Sequence, residues 1–378
     1  MLQSIIVKVS STCNLNCNYC YYRLSENLKT EKKLMEPELI HNIIEKFGEY
    51  SNANKLDFFT FFWHGGEPLL AGIDFYETAI SLQKKYFSPS TDIINSIQTN
   101  GVLLNEQWLD FLKMNNIEIG LSIDGPADIH DIRRKDINGN GTYKRVLKSV
   151  HLLNKFEIPL KILCVVTPEA IGKGKSIYKH FRSLNCEWMD FLYPIRNNVT
   201  NTFDTNVSPN ELADFFVDVF DAWISEDNEN VFVRSLHDWV MLLLNGKPSM
   251  CHSYDDCSTV ITINTDGRVF ICDDLLPYVD SEIGNINNMT IEEIINSNKL
   301  VRLSKKENIY SSHCLECQYF PICMGGCAVF RIKKFNDIQG KNTYCIANKK
   351  IIDHISNFLK SPYLNSSITK NHNIETRI

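Results

Sequence analysis

Apolar positions along the first half of the chain follow two alternating rhythms. Short runs rich in β-branched and aromatic residues occur at 4–9 (SIIVKV), 57–63 (DFFTFFW), 92–98 (DIINSIQ), 117–123 (IEIGLSI), 160–166 (LKILCVV) and 187–193 (EWMDFLY). Each reads as a buried strand. Between them lie amphipathic stretches near 37–49, 73–86, 105–115, 142–155 and 172–184; in "FYETAISLQKKY" the apolar Phe75, Ala79, Leu82 and Tyr86 keep helical spacing. Six strand-then-helix units predict an α/β fold with a parallel sheet, either open or curled into a partial barrel.

Every predicted strand ends in a polar or glycine-bearing turn: "SSTCNLNC", "HGGEP", "TNG", "SIDGP", "VTPE" and "YPIRN". Parallel α/β folds bind ligands at the carboxyl ends of their strands, so these six loops are expected to share one mouth. After about residue 200 the alternation stops. Two helical segments follow, near 209–225 and 233–245, and then a cysteine-rich region at 251–345 whose apolar core looks thin. That region reads as a second, smaller domain held together by metal sites, closed by a helix near 346–360. The polar tail at 365–378 is expected to fray.

Composition narrows the function. A net charge of -6 gives no electrostatic case for nucleic acid or an anionic membrane surface. No targeting segment is apparent, and the longest apolar runs ("WVMLLL", "FFTFFW") are too short to span a bilayer. A cytoplasmic enzyme without a membrane partner is expected.

Thirteen cysteines change the picture more. In a reducing compartment metal or cluster ligation explains them better than disulfides do. Cys13, Cys17 and Cys20 form C-x3-C-x2-C on the loop after the first strand. Clusters and structural zinc sites usually take four protein ligands, so this set either borrows a distant ligand or leaves a corner open. Cys164 and Cys186 are isolated, and eight more crowd into 251–345. Cys257, Gly267 and Cys272 give C-x9-G-x4-C; Cys314, Cys317, Cys323 and Cys327 give C-x2-C-x5-C-x3-C; Cys345 follows, and Cys251 precedes the set.

The three-cysteine loop before a βα array resembles the radical S-adenosylmethionine (radical SAM) superfamily, and the late cysteines resemble its SPASM extension. The resemblance implies a partial (β/α)6 TIM-like barrel over residues 1–235, a bridging helix at 236–250, a SPASM domain at 251–350, and a terminal helix with a flexible tail at 351–378. It implies SAM and three [4Fe–4S] clusters as cofactors. Cys13, Cys17 and Cys20 would hold the cluster that leaves one iron for SAM. Cys251, Cys257, Cys272 and Cys327 would hold one auxiliary cluster, and Cys314, Cys317, Cys323 and Cys345 the other. Cys164 and Cys186 are then spare.

Around SAM the resemblance places Tyr19, Gly65, Gly66, Glu67, Asn100, Ser122, Asp124 and Arg134. Glu67 of "GGEP" would receive the amino group and Arg134 would neutralise the carboxylate, although several of these residues also suit ordinary turns and caps. In "ICDDL", Asp273 follows Cys272. In sulfatase-maturating members of the family the aspartate at this place is the proposed base, and that role is carried to Asp273 alone.

The chain is similar to anaerobic sulfatase-maturating enzymes over nearly its whole length. Those enzymes oxidise a Cys or Ser of a sulfatase to formylglycine. Two features depart from them: His64 stands where that family has Gln before "GGEP", and "AVFRIKK" follows the last close cysteine. The form "WHGGEPLL" looks more like maturases of ribosomally made peptides (RiPPs), which points to a peptide maturase forming an intrapeptide side-chain crosslink of the cyclophane type. Sulfatase maturation is the alternative. With the barrel starting at residue 4, a precursor would bind the enzyme's own surface or a separate leader-recognition protein. A flavodoxin- or ferredoxin-type protein would supply electrons.

Overall fold

The computed structural model describes residues 1–24, 30–195, 207–251, 257–276, 281–304, 310–331 and 340–361. The tail at 365–378 and the end of "YPIRN" therefore lie outside the described residues.

All six strands form where the apolar runs place them: β1 (Ser4–Ser10), β2 (Phe58–Gly65), β3 (Asp92–Thr99), β4 (Glu118–Ser122), β5 (Lys161–Val165) and β6 (Trp188–Leu192). They pair in sequence order, all parallel. The helices that cover them are α1 (Tyr21–Leu24), α2 (Pro37–Asn54), α3 (Ile73–Tyr86), α4 (Glu106–Met114), α5 (Ala127–Arg133), α6 (Tyr143–Lys155) and α7 (Gly174–Ser183). The strand period sorts the two faces of the sheet. On β2, Phe59, Phe61 and Trp63 are fully buried toward the helices. Phe59 meets Phe47 of α2 with ring centroids 5.5 Å apart, and Trp63 meets Tyr76 of α3 at 5.6 Å. The opposite face carries Lys8 and Ser10 of β1, His64 of β2, Gln98 of β3 and Ser122 of β4. A polar inner face is unusual for a parallel sheet, and it is where the chemistry collects.

The late segment does not stand apart. After β7 (Phe232–Val233), strand β8 (Val260–Ile263) joins the free edge of β1 in parallel, Ser4 opposite Val260 and Val7 opposite Ile263. Then β9 (Arg268–Phe270) and β10 (Glu282–Asn285) extend it antiparallel, giving one ten-stranded sheet in the order β10-β9-β8-β1-β2-β3-β4-β5-β6-β7. Ile261, Ile263, Val269 and Ile271 bury into the same hydrophobic cluster as the barrel strands. The region that looked thin in its own sequence thus shares the core of its neighbour.

Helix α8 (Pro209–Glu226) starts with a capping box, the Ser208 hydroxyl accepting from Glu211 N while the Glu211 carboxylate accepts from Ser208 N. It receives α10 (Cys345–Leu359) through Phe220 on Phe358 at 5.4 Å and through His354 on Asp221 at 2.6 Å. Cys345 is thereby fixed at the start of a clamped helix. Between them α9 (Arg234–Leu243) occupies the segment expected to bridge. No helix among the described residues is long and apolar enough to cross a membrane.

Candidate active site

The carboxyl ends of all six barrel strands open on one cavity of about 390 Å³. Residues from β1 through β6 can share a single space only if the sheet curls, as expected from the loops. Cys13, Cys17 and Cys20 form part of its wall.

The three-cysteine loop is tied down on two sides. Asn16 N donates to Lys135 O at 2.7 Å and Asn18 N to Arg133 O at 3.2 Å. Leu15 N donates to Cys13 Sγ at 3.3 Å, and Asn100 Nδ2 reaches the same sulfur at 3.7 Å. Burial pushes the Cys13 thiol up to about 12, the Leu15 N–H opposing it and Glu67, Cys17 and Cys20 adding to it. Burial raises the Cys17 thiol too, with Arg134 opposing it; a cationic iron cluster supplies the charge that turns such buried thiols into thiolates. The donor set therefore fits the cluster that the motif implies.

Against this loop lies "HGGEP". Gly66 N donates to Ser10 O at 2.7 Å and Glu67 N to Thr12 O at 2.9 Å. A Cβ on Gly66 would collide with the Thr12 carbonyl, so glycine is required for the close approach. Gly65 and Gly66 line the cavity, but Glu67 does not. It is fully buried behind the wall, its carboxylate accepting from Leu69 N at 3.1 Å, Thr99 Oγ1 at 2.6 Å and Asn100 N at 2.9 Å. Here Glu67 shapes the loop and joins it to β3.

Tyr19, Asn100, Ser122 and Arg134 reach the cavity. Arg134 Nη1 donates to Tyr19 Oη at 2.6 Å, and Tyr19 Oη donates to Asp124 Oδ2 at 2.5 Å. Burial works against the Arg134 charge, but Tyr19, Cys17 and Asp124 hold it cationic. Asp124 sits behind this pair and also accepts Val165 N at 3.1 Å, so it supports Tyr19 and does not line the cavity. Cys164 and Cys186 are fully buried among the core side chains.

A second polar group gathers around Tyr21, the residue after Cys20, and His64 of "HGGEP". Tyr21 Oη donates to Asp273 Oδ2 at 2.6 Å. Lys8 Nζ lies 2.5 Å from Asp273 Oδ1 and donates to His64 Nδ1 at 2.8 Å. The Lys8–Asp273 contact falls off the hydrogen-bonding directions of that oxygen, which leaves Oδ1 without a formal hydrogen bond. At this separation the ion-pair attraction holds regardless of angle. Burial raises the Asp273 carboxyl, yet Lys8, His64 and the Tyr21 hydroxyl together outweigh it and the group lies below the usual carboxylate range. Its neighbour Asp274, also on the wall, is pushed up to about 6 by burial and by Asp273. Asp273 alone of the two has the Tyr21 hydrogen bond and the close Lys8 contact, and the adjacent carboxyls shift in opposite directions.

Sequence reasoning found Asp273 and missed its setting. Lys8 is 0% exposed within a strand otherwise made of Ile, Val and terminal Ser. Its place in the alternation Ile6, Lys8, Ser10 on one strand face was the available signal. Tyr21 carried none beyond its position after Cys20.

The late cysteines gather in two groups. Burial raises Cys272, and Cys251, Cys327 and Cys257 add to it; Cys327 likewise feels Cys251 and Cys257. Burial raises Cys323 to about 11, the Gly325 backbone opposing it and Cys345, Cys314 and Cys317 adding to it. Eight late thiols thus lie in two neighbourhoods, Cys251, Cys257, Cys272 and Cys327 in one and Cys314, Cys317, Cys323 and Cys345 in the other. Among the described residues no three His, Cys, Asp or Glu side chains come close enough to share one metal ion. The fit to iron cubes rests on eight thiols in two groups of four. Between Cys327 and the barrel mouth the cavity turns apolar, lined by Tyr193, Pro194, Trp239, Met250 and Phe330, with Asn348 among them.

Comparison with known proteins agrees with this arrangement. Residues 7–172 match the radical SAM superfamily, and residues 251–318 match the SPASM iron–sulfur cluster-binding domain. A cysteine-type anaerobic sulfatase-maturating enzyme of Clostridium perfringens is 31% identical over 361 residues, covering 93% of this chain and 96% of the relative. The solved structure of native anSMEcpe with bound AdoMet and Kp18Cys peptide superposes with a TM-score of 0.84 at 30% identity, over 97% of this chain and 99% of that one. Streptococcus suis SuiB bound to precursor peptide SuiA matches with a TM-score of 0.66 at 17% identity, over 91% of this chain and 76% of that one, which shows the fold alone.

These findings overturn the crosslinking reading drawn from "WHGGEPLL". Whole-chain identity lies with the sulfatase maturases, and the precursor-peptide enzyme is a distant likeness. One side chain and one seven-residue segment carry less weight than 361 aligned positions. SAM and [4Fe–4S] clusters are the cofactors. The chain belongs to the radical SAM superfamily, in the SPASM-bearing group that holds the anaerobic sulfatase-maturating enzymes.

Proposed function

We propose that this enzyme oxidises a Cys or Ser side chain of a sulfatase-type peptide to formylglycine. The observation that carries the reading is Asp273: an ionised carboxylate on the cavity wall, next to Cys272 and bonded to Tyr21, the residue that follows Cys20. When bound, the cluster with SAM supplies a radical that removes a β-hydrogen from the target residue, and the two SPASM clusters supply a path for the next electron.

The chain's residues do the rest. Arg134 and the glycine backbone at 65–66 hold the cofactor against the Cys13 loop. The apolar reach from Tyr193 to Phe330 takes peptide flanking the target and excludes water. Asp273 accepts a proton from the substrate as the electron leaves, its lone pairs aimed by Tyr21 and its charge held by Lys8. A Ser target becomes the aldehyde directly; for a Cys target, water replaces sulfur at the oxidised carbon. A flavodoxin- or ferredoxin-type protein delivers the reducing electron.

Holoenzyme incubated anaerobically with SAM, reductant and a sulfatase peptide is expected to yield a product that reacts with a hydrazine. Recovery of a peptide that has lost two hydrogens and is inert to hydrazine would sink the proposal.

A further inference from the structure

His64 has a fixed protonation pattern that follows from its neighbours. Its Nδ1 lies 2.8 Å from Lys8 Nζ. Lysine is a donor only, so Nδ1 accepts, and the neutral ring carries its proton on Nε2. This tautomer is assigned from the network. A second proton is opposed by burial first and by the Lys8 charge next, which together take the ring down to about 4 against smaller pulls from Asp273 and from the Gly65 backbone. The ring lines the cavity, its side chain 30% exposed to the lumen, with Nδ1 4.0 Å from Asp273 Oδ2. Among the described residues no side chain accepts a hydrogen bond from Nε2. His64 therefore offers the lumen a single N–H of known direction, beside the carboxylate that takes the substrate proton.

We propose that His64 seats the oxidisable heteroatom of the substrate, donating its Nε2–H to the sulfur or oxygen on the target's β-carbon while Asp273 faces the same group. The assignment rests on the formylglycine reading and deepens it. A donor suits this place because the target atom has lone pairs in both the Cys and the Ser form, and its own proton is directed at Asp273. A general base at position 64 is excluded by the same bonds: Nδ1 is occupied by Lys8, and Nε2 already holds the proton. A glutamine here would offer an amide N–H to the same space, so exchanging His64 for Gln keeps the function and only a residue without a donor removes it.

Binding of three synthetic sulfatase peptides, carrying Cys, Ser or Ala at the target, tests this on holoenzyme with SAM present and reductant withheld. Wild-type protein is expected to hold the Cys and Ser peptides about fivefold more tightly than the Ala peptide, the worth of one neutral hydrogen bond. His64→Leu is expected to bring that ratio to about one while iron content and the affinity for the Ala peptide stay unchanged, and His64→Gln to restore most of it. If His64→Leu does not load its clusters, His64→Phe keeps the ring volume and is read the same way.

In turnover the loss should fall on KM, with 5′-deoxyadenosine formed in excess over product. A preference for Cys and Ser that survives in both Leu and Phe variants overturns the assignment, leaving the formylglycine reading intact if wild-type enzyme still makes carbonyl product. A wild-type enzyme that makes no carbonyl product from the Cys or Ser peptide overturns both.

Discussion

Cys17→Ala protein, reconstituted anaerobically, is expected to retain about two-thirds of wild-type iron, losing one cube of three, and to form no 5′-deoxyadenosine. Cys17 is the middle cysteine of a loop whose backbone is pinned to the 133–135 segment, so the remaining thiols are not expected to shift to compensate. The nearest spare cysteine in the sequence, Cys164, is fully buried on β5. It makes the control: Cys164→Ala removes one buried sulfur, costs about 1–2 kcal/mol of stability, and leaves iron content and SAM cleavage as in wild type. Equal loss in the two variants would undo the ligand assignment. Iron analysis and chromatography of 5′-deoxyadenosine give the answer.

Asp273→Asn is expected to separate the two halves of the reaction. Cleavage of SAM persists, because the Cys13 loop, Arg134 and the glycine pair are untouched. Formylglycine falls by roughly 10²- to 10³-fold, the range of a lost general base. The amide keeps the shape of the carboxylate but not its charge, so Lys8, 0% exposed, loses its counter-ion. Some stability goes with it, on the order of a few kcal/mol, and a thermal melt must accompany the assay. Wild-type product yield from a folded, iron-loaded Asp273→Asn variant would remove Asp273 as the base.

How much of this was legible beforehand follows from what each feature depends on. The six barrel strands are local: β-branched and aromatic runs bounded by turn residues mark them, and their observed limits differ from the runs by only a residue or two. The cysteine spacings are local too, but the division of the late cysteines into two groups came from the family resemblance and not from the spacing. The attachment of β8 to β1 is not local. It pairs Ser4 with Val260 across most of the chain, and nothing in either segment names its partner. Lys8 was passed over for the same reason, since a lone lysine in a strand acquires meaning only when Asp273 and His64 are brought to it.

Glu67 and Asp124 were placed in contact with the cofactor, and the structure sets both carboxylates behind the wall, bonded to their own chain. His64 misled the choice of substrate because residue identity was read as a family marker. Physically, imidazole and carboxamide both present an N–H, and a swap between them does not require a change of chemistry.

The central claim is that hydrogen is taken from the β-carbon of a sulfatase Cys or Ser and that the same carbon becomes a carbonyl. A sulfatase peptide deuterated at that β-carbon tests it in one mass-spectrometric measurement of both products. The account predicts deuterium in 5′-deoxyadenosine and one deuterium retained on a hydrazine-reactive peptide aldehyde. Deuterium in 5′-deoxyadenosine paired with a crosslinked, hydrazine-inert peptide, or an aldehyde formed with unlabelled 5′-deoxyadenosine, would contradict it.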